Sequence, residues 1–168
     1  MECARPGTGT LACGLDRAAT ENLPTTIVVF GASGDLAKKK TFPALFHLFQ
    51  RGLLPQRLRI IGYARTQLSR DAFCQRATQH LSPETEQADI DAFLGVCSYV
   101  SGQYDVADDY VALRGAIDEQ DREINPQGKS HRVRVYYMAL PPTVFVDVAT
   151  QIKANVYDGD CTNRVVIE

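Results

Sequence analysis

The hydrophobic positions of this chain alternate between two periods. Residues 25–30, Thr-Thr-Ile-Val-Val-Phe, form a short run with no polar interruption after its threonines. Such a run suits a strand buried on both faces. Residues 35–51 carry Phe42, Leu45, Phe46 and Phe49 at three- and four-residue spacing, which predicts a helix. Pro43 is expected to kink it or to restart it in a first turn, and Gly52 to stop it. Residues 58–63 predict a second strand. Ser69 is placed to cap a helix carrying Phe73, Ala77 and Leu81. A further helical piece is expected over 84–94, a short strand over 96–100, and a helix over 105–124 with Tyr110, Leu113 and Ile117 on one side. Asn125-Pro126-Gln127-Gly128 reads as a turn. A strand over 133–139 is halted by Pro141-Pro142; Thr143 is expected to cap a helix with Val144, Val148 and Ile152, and 164–168 to open a fifth strand.

Strands that alternate with helices imply crossover connections and a parallel sheet, hence an α/β fold. Ligands of such sheets lie beyond the carboxyl ends of the strands. The segment Gly31-Ala32-Ser33-Gly34-Asp35-Leu36-Ala37-Lys38 falls at such an end, between the first strand and its helix. Glycine at 31 and 34 lets an anion approach the backbone, and the free N–H groups of a helix start face it. A phosphate or pyrophosphate is the natural occupant. A purely structural tight turn would have the same spacing. The P-loop is excluded, because no Gly-Lys-Ser/Thr triplet follows.

The second strand ends in Gly62-Tyr63-Ala64-Arg65-Thr66, with no acid before Asp71. A site specific for NAD would place Asp or Glu there against the ribose hydroxyls. A guanidinium instead suits a 2′-phosphate, so Arg65 points to NADP if it is not merely a solvated arginine.

Composition narrows the picture further. The 168 residues match the length of a single domain. A net charge of -2 and the absence of a basic stripe argue against nucleic-acid partners. No apolar run approaches the roughly 18 residues of a membrane span. The five cysteines form no CxxC pair, which leaves neither a zinc site nor a redox dithiol and favours reduced thiols in a cytoplasmic protein. Residues 1–24 lack both periods and are expected to be a disordered tail, in which Cys3 and Cys13 lie. That tail has no signal-peptide core, and Glu2, Asp16 and Glu21 weaken a mitochondrial transit reading. The folded domain is expected to span 25–168.

Three motifs now carry a resemblance. Gly31 to Lys38, then Gly62-Tyr63-Ala64-Arg65, then Tyr137-Met138-Ala139-Leu140-Pro141-Pro142 resemble, in order and spacing, the coenzyme domain of the glucose-6-phosphate dehydrogenase family. The resemblance implies a Rossmann-like, doubly wound parallel sheet, truncated before the family's C-terminal β+α domain. It implies NADP-dependent oxidation of glucose 6-phosphate to the lactone, the entry step of the oxidative pentose phosphate pathway, by a homodimer or homotetramer. By resemblance, Gly31, Ala32, Ser33, Gly34, Asp35, Leu36, Ala37 and Lys38 cradle the coenzyme phosphates, Arg65 takes the 2′-phosphate with Thr66 beside it, and Tyr137 touches the coenzyme. Lys40 matches a lysine near the sugar phosphate in some members, and a solvated helix lysine would look the same. Met138 stands where leucine is common. His47, His80 and His131 match none of the family's catalytic positions; His47 is expected to pack in its helix and His131 to be exposed. The catalytic base is thus expected outside this chain, which alone would be inactive. A different NADP-dependent oxidoreductase and a non-catalytic NADP-sensing module remain alternatives.

Overall fold

Strand β1 (Thr25–Phe30) is buried along its whole length, and its neighbours explain why. In the computed structural model, which describes residues 23–128 and 131–168, β1 pairs in parallel with β2 (Leu58–Ala64) on one side and β4 (Arg132–Met138) on the other. Strand β3 (Cys97–Ser101) extends the sheet beyond β2, and β5 (Cys161–Ile167) extends it beyond β4. The order is β3-β2-β1-β4-β5, every pairing parallel.

Alternate residues of β1 serve two cores. Ile27 and Val29 face α1 (Phe42–Gln50), α2 (Arg70–Thr78) and α3 (Gln87–Gly95), packing with Phe42, Phe46, Phe73 and Phe93. Val28 and Phe30 face α4 (Ala107–Ile124) and α5 (Phe145–Gln151), packing with Tyr110, Leu113, Ile117 and Val148. The layers are therefore helix, sheet, helix, as the uninterrupted apolar run requires. Among the described residues no helix is long and apolar enough to cross a membrane.

Several local expectations need correction. Pro43 itself behaves as one of its two expected outcomes: the α-helix restarts at Phe42 with Pro43 in its first turn. A π-helical stretch, Ala37–Thr41, precedes it and closes with the Phe42 N–H on the Ala37 carbonyl. The wider turn absorbs the proline, whose ring would otherwise press on the carbonyl four residues back. Thr143 caps nothing: it lies inside a 3₁₀ turn (Pro142–Val144) that leads into α5, and a second π-helical stretch, Ile152–Val156, follows. Leu81 lies beyond the end of α2, although it still packs on the first core. His47 is exposed and only rests edge-on against Phe46. Ser69 does cap α2, its Oγ accepting from the Ala72 N–H at 3.2 Å. His131 is exposed as expected and lies 2.8 Å from the Thr162 hydroxyl. The expected tail lies almost wholly outside the described residues, together with Cys3 and Cys13. Cys74, Cys97 and Cys161 are free thiols.

At the amino end of the sheet, Arg134 is fully buried within β4. Its Nη2 donates to Asp121 Oδ2 at 2.7 Å and to Asp118 Oδ1 at 2.9 Å, and its Nη1 donates to the Val156 carbonyl at 3.1 Å. Asp121, itself 2% exposed, also accepts from the Thr26 hydroxyl at 2.7 Å. Burial alone would lower the Arg134 pKa; hydrogen bonding and charge from Asp121 outweigh it and raise it. This satisfied network ties α4 to β1, β4 and the approach to β5.

Candidate functional site

The strand order defines where a ligand can enter. From β1 the chain winds outward through β2 and β3, then returns to place β4 on β1's other side. Connections thus leave the carboxyl ends of β1 and β4 in opposite directions, which opens a crevice. Gly31 stands at its floor with φ +82. A Cβ there would overlap the Ala139 carbonyl oxygen and sit 2.9 Å from Leu140 Cδ2. Only glycine both adopts this φ and admits the end of β4 so close. Gly34 does not share the left-handed conformation; an added Cβ would press on the Gly31 carbonyl oxygen at 3.1 Å.

The turn's hydrogen bonds leave an anion cradle. The Gly31 and Ala32 N–H groups both point at the Tyr63 carbonyl, at 2.9 and 3.3 Å, and the Gly34 N–H closes on the Gly31 carbonyl at 2.8 Å. Among the described residues no acceptor meets the N–H groups of Ser33, Asp35 or Leu36. These are orphan donors at the positive end of a helix that runs on into α1. Such donors suit an anion.

Above the turn lies a cavity of about 380 Å³, walled by Gly31, Ser33 and Gly34, by Arg65, Thr66 and Tyr104, and by the Ala139 to Pro141 segment with Thr143 and Val144. A larger hollow of about 510 Å³ lies at the sheet's opposite end, lined by Gln56, Arg57, Glu123 and the turn that follows α4. The carboxyl-end cavity is the chemically furnished one. Arg65 is the first residue after β2; it is exposed, and its guanidinium lies 5.4 Å from the Tyr104 ring centroid. Among the described residues no carboxylate pairs with it. The Ser33 and Thr66 hydroxyls are 3.3 Å apart, and the Tyr99 hydroxyl donates to the Thr66 carbonyl at 2.5 Å. Burial raises the Tyr104 pKa, against the opposing pull of Arg65.

The structure brings Gly31, Ser33, Gly34, Arg65 and Thr66 together around this cavity. The other candidates stand elsewhere. Ala32 and Ala37 are buried beneath the turn, where small side chains let the helix settle on the sheet. Asp35 points along its helix to Lys38 and Lys39, each 3.1 Å away, and hydrogen bonds from Lys39 and then Lys38 hold its carboxyl below the usual range. Leu36 and Lys40 are exposed outside the cavity. Lys38 faces a neighbouring hollow. Tyr137 donates to Glu168 Oε2 at 2.8 Å; burial first, then that carboxylate, push its pKa up to about 12. None of the three histidines lines the cavity. Sequence reasoning passed over Tyr104, although Gly102 just past β3 marks another loop at the same sheet edge.

A glycine turn at the switch point of a doubly wound sheet, with orphan amides above it, defines a dinucleotide-binding α/β domain. The comparisons particularise it. The profile of the family described as "Glucose-6-phosphate dehydrogenase, NAD binding domain" matches residues 28–168, and the chain belongs to that family. It is 41% identical over 146 residues to a glucose-6-phosphate 1-dehydrogenase of Aspergillus niger, covering 86% of this chain and 28% of that protein. It is 44% identical over 150 residues to one of Caenorhabditis elegans, again covering 86% of this chain and 28% of the relative. Among solved structures, a glucose-6-phosphate dehydrogenase in complex with its substrate glucose-6-phosphate superposes with a TM-score of 0.78 and 39% identity, covering 86% of this chain and 30% of that one. The chain thus spans little more than a quarter of the length of these curated relatives.

Proposed function

We propose that this chain binds NADP in the carboxyl-end crevice and forms the coenzyme half of an enzyme that oxidises glucose 6-phosphate to its lactone. The observation that carries the reading is Arg65. It stands where an NAD site keeps an acid, it has no carboxylate partner among the described residues, and it borders the same cavity as the glycine turn. The residues fit the group: the Ser33, Asp35 and Leu36 amides would hold the pyrophosphate, and Arg65 with the Thr66 hydroxyl would hold the 2′-phosphate. When bound, the coenzyme would supply the hydride acceptor for the sugar carbon. The protein's part here is to hold the coenzyme, and the Gly31–Ala139 approach keeps the two sides of the crevice at fixed separation. With no histidine on the cavity wall, the base that takes the sugar's hydroxyl proton belongs to the remainder of the enzyme.

Arg65→Ala tests this. Loss of a charge-assisted contact costs about 1.5–3 kcal/mol, or roughly one to two decades of affinity. Parallel calorimetric titrations should show that loss for NADP and almost none for NAD. Equal losses for both coenzymes would overturn the assignment.

A further inference from the structure

Arg65 is not the only uncompensated cation at the turn. Arg76, on α2, reaches across to the glycine turn and donates from Nη1 to the Ser33 carbonyl at 3.1 Å. Its side chain is half-buried, and among the described residues no carboxylate pairs with it. Its neighbour Lys38, which shares a hollow of about 400 Å³ with it, is neutralised by Asp35 at 3.1 Å. Arg76 has no such partner, and only one of its guanidinium nitrogens is engaged.

Two free guanidiniums therefore flank one small polar unit. Ser33 and Thr66 touch through their hydroxyls at 3.3 Å; Arg65 adjoins Thr66 in sequence, and Arg76 holds the carbonyl of Ser33. Arg65 is exposed on the cavity above the turn and half-buried Arg76 borders the adjoining hollow, and among the described residues no carboxylate pairs with either. A phosphomonoester carries about 1.5–2 negative charges near neutral pH, enough for two arginines. A ribose hydroxyl carries none.

We infer that Arg76 is a second specificity-determining residue for the coenzyme's 2′-phosphate, gripping it with Arg65 across the Ser33–Thr66 pair. This rests on the NADP reading above and extends it to a residue outside the three motifs. The guanidinium also braces the turn through Ser33, so a purely structural role has to be separable from a contact with the ligand.

The test uses the full chain, with NADP and NAD titrated by calorimetry against the wild type, Arg76→Met and Arg76→Gln. Glutamine keeps an amide donor for the Ser33 carbonyl and removes the charge, which guards against failure of the methionine variant to fold. Both variants should lose NADP affinity by roughly tenfold to a hundredfold with NAD affinity unchanged. The salt dependence of NADP binding should also become shallower, since one ionic contact is gone. A variant that weakens NADP and NAD alike would show a brace for the turn and overturn the inference, as would unchanged NADP binding in a folded variant. If the wild type itself fails to prefer NADP, the 2′-phosphate reading falls first and takes this inference with it.

Discussion

Gly31 acts through what its absent side chain permits: a φ of +82 and contact with the Ala139 carbonyl. Alanine at this position would pay roughly 1–2 kcal/mol for the left-handed backbone alone, before any clash. Gly31→Ala should therefore lower the urea midpoint and abolish coenzyme binding. Binding as tight as the wild type's in a folded G31A chain would show that the turn does not set the crevice. Gly34→Ala, strained only by the 3.1 Å approach to Gly31, should do much less. The glycine turn and Arg65 are legible in the sequence because each follows directly from a recognisable strand. Tyr104, Thr143 and Val144 are not, because their loops reach the cavity only through the strand order. Arg76 was hidden for another reason. On an exposed helix an arginine looks like any solvated charge until the turn it touches is placed beside it. Tyr137 marks the opposite limit: its motif is plain, yet the structure turns its hydroxyl to Glu168 rather than into the cavity.

Helices and strands were readable wherever an apolar period was long, and failed at their ends, where single hydrogen bonds decide. Ser69 succeeded as a cap because an extended residue directly before a helix can turn its hydroxyl back to the third N–H, here that of Ala72. Ser69→Ala should cost about 1 kcal/mol of unfolding free energy, visible in a urea titration. No change at all would mean that solvent replaces the cap. Thr143 failed because Pro141 and Pro142 shape a 3₁₀ turn that places it inside rather than ahead of the helix. Strand β4 hides a larger surprise, since Arg134 sits in the middle of an otherwise strand-like apolar run and is wholly buried. Its partners Asp118 and Asp121 are on α4, whose acids look like an ordinary solvated helix face in the sequence. Removing one member of a buried pair strands the other, at about 3–5 kcal/mol. Asp121→Ala should thus destabilise the domain far more than Ser69→Ala. A loss below 1 kcal/mol would show that Asp118 alone satisfies the arginine.

Across the whole molecule, one parallel sheet divides two apolar layers, and the uninterrupted run of β1 announced that division. The alternation of strands and helices made the parallel sheet legible, but no local pattern says that the fourth strand returns to the first, so the position of the crevice between β1 and β4 came only with the fold. The second layer has a property that the sequence does not show: it is dense in phenols. Tyr63, Tyr104 and Tyr110 cluster there, ring centroids 6.1 Å apart for Tyr63 and Tyr104 and 5.5 Å for Tyr63 and Tyr110. Burial raises the pKa of all three, and pushes Tyr136 to about 12. Tyr137, packed against the first layer, is also held at about 12, and in that layer burial pushes the Cys97 thiol from 9.0 up to about 12. In the unfolded chain these groups lose their protons near their ordinary values, about 10 for tyrosine and 8.5 for cysteine. Above those values the unfolded state binds fewer protons than the folded one, so stability falls as pH rises. The contribution is fully present below the unfolded thiol's value of about 8.5 and is lost progressively toward about pH 12. The urea midpoint should therefore hold steady from pH 7 to pH 8.5 and drop steeply by pH 11. Absorbance at 295 nm should show most phenolates appearing together with unfolding rather than ahead of it. Phenols that ionise near pH 10 in a chain still folded by circular dichroism would mean that the tyrosine layer is open to water, and the alkaline limb would then need another cause.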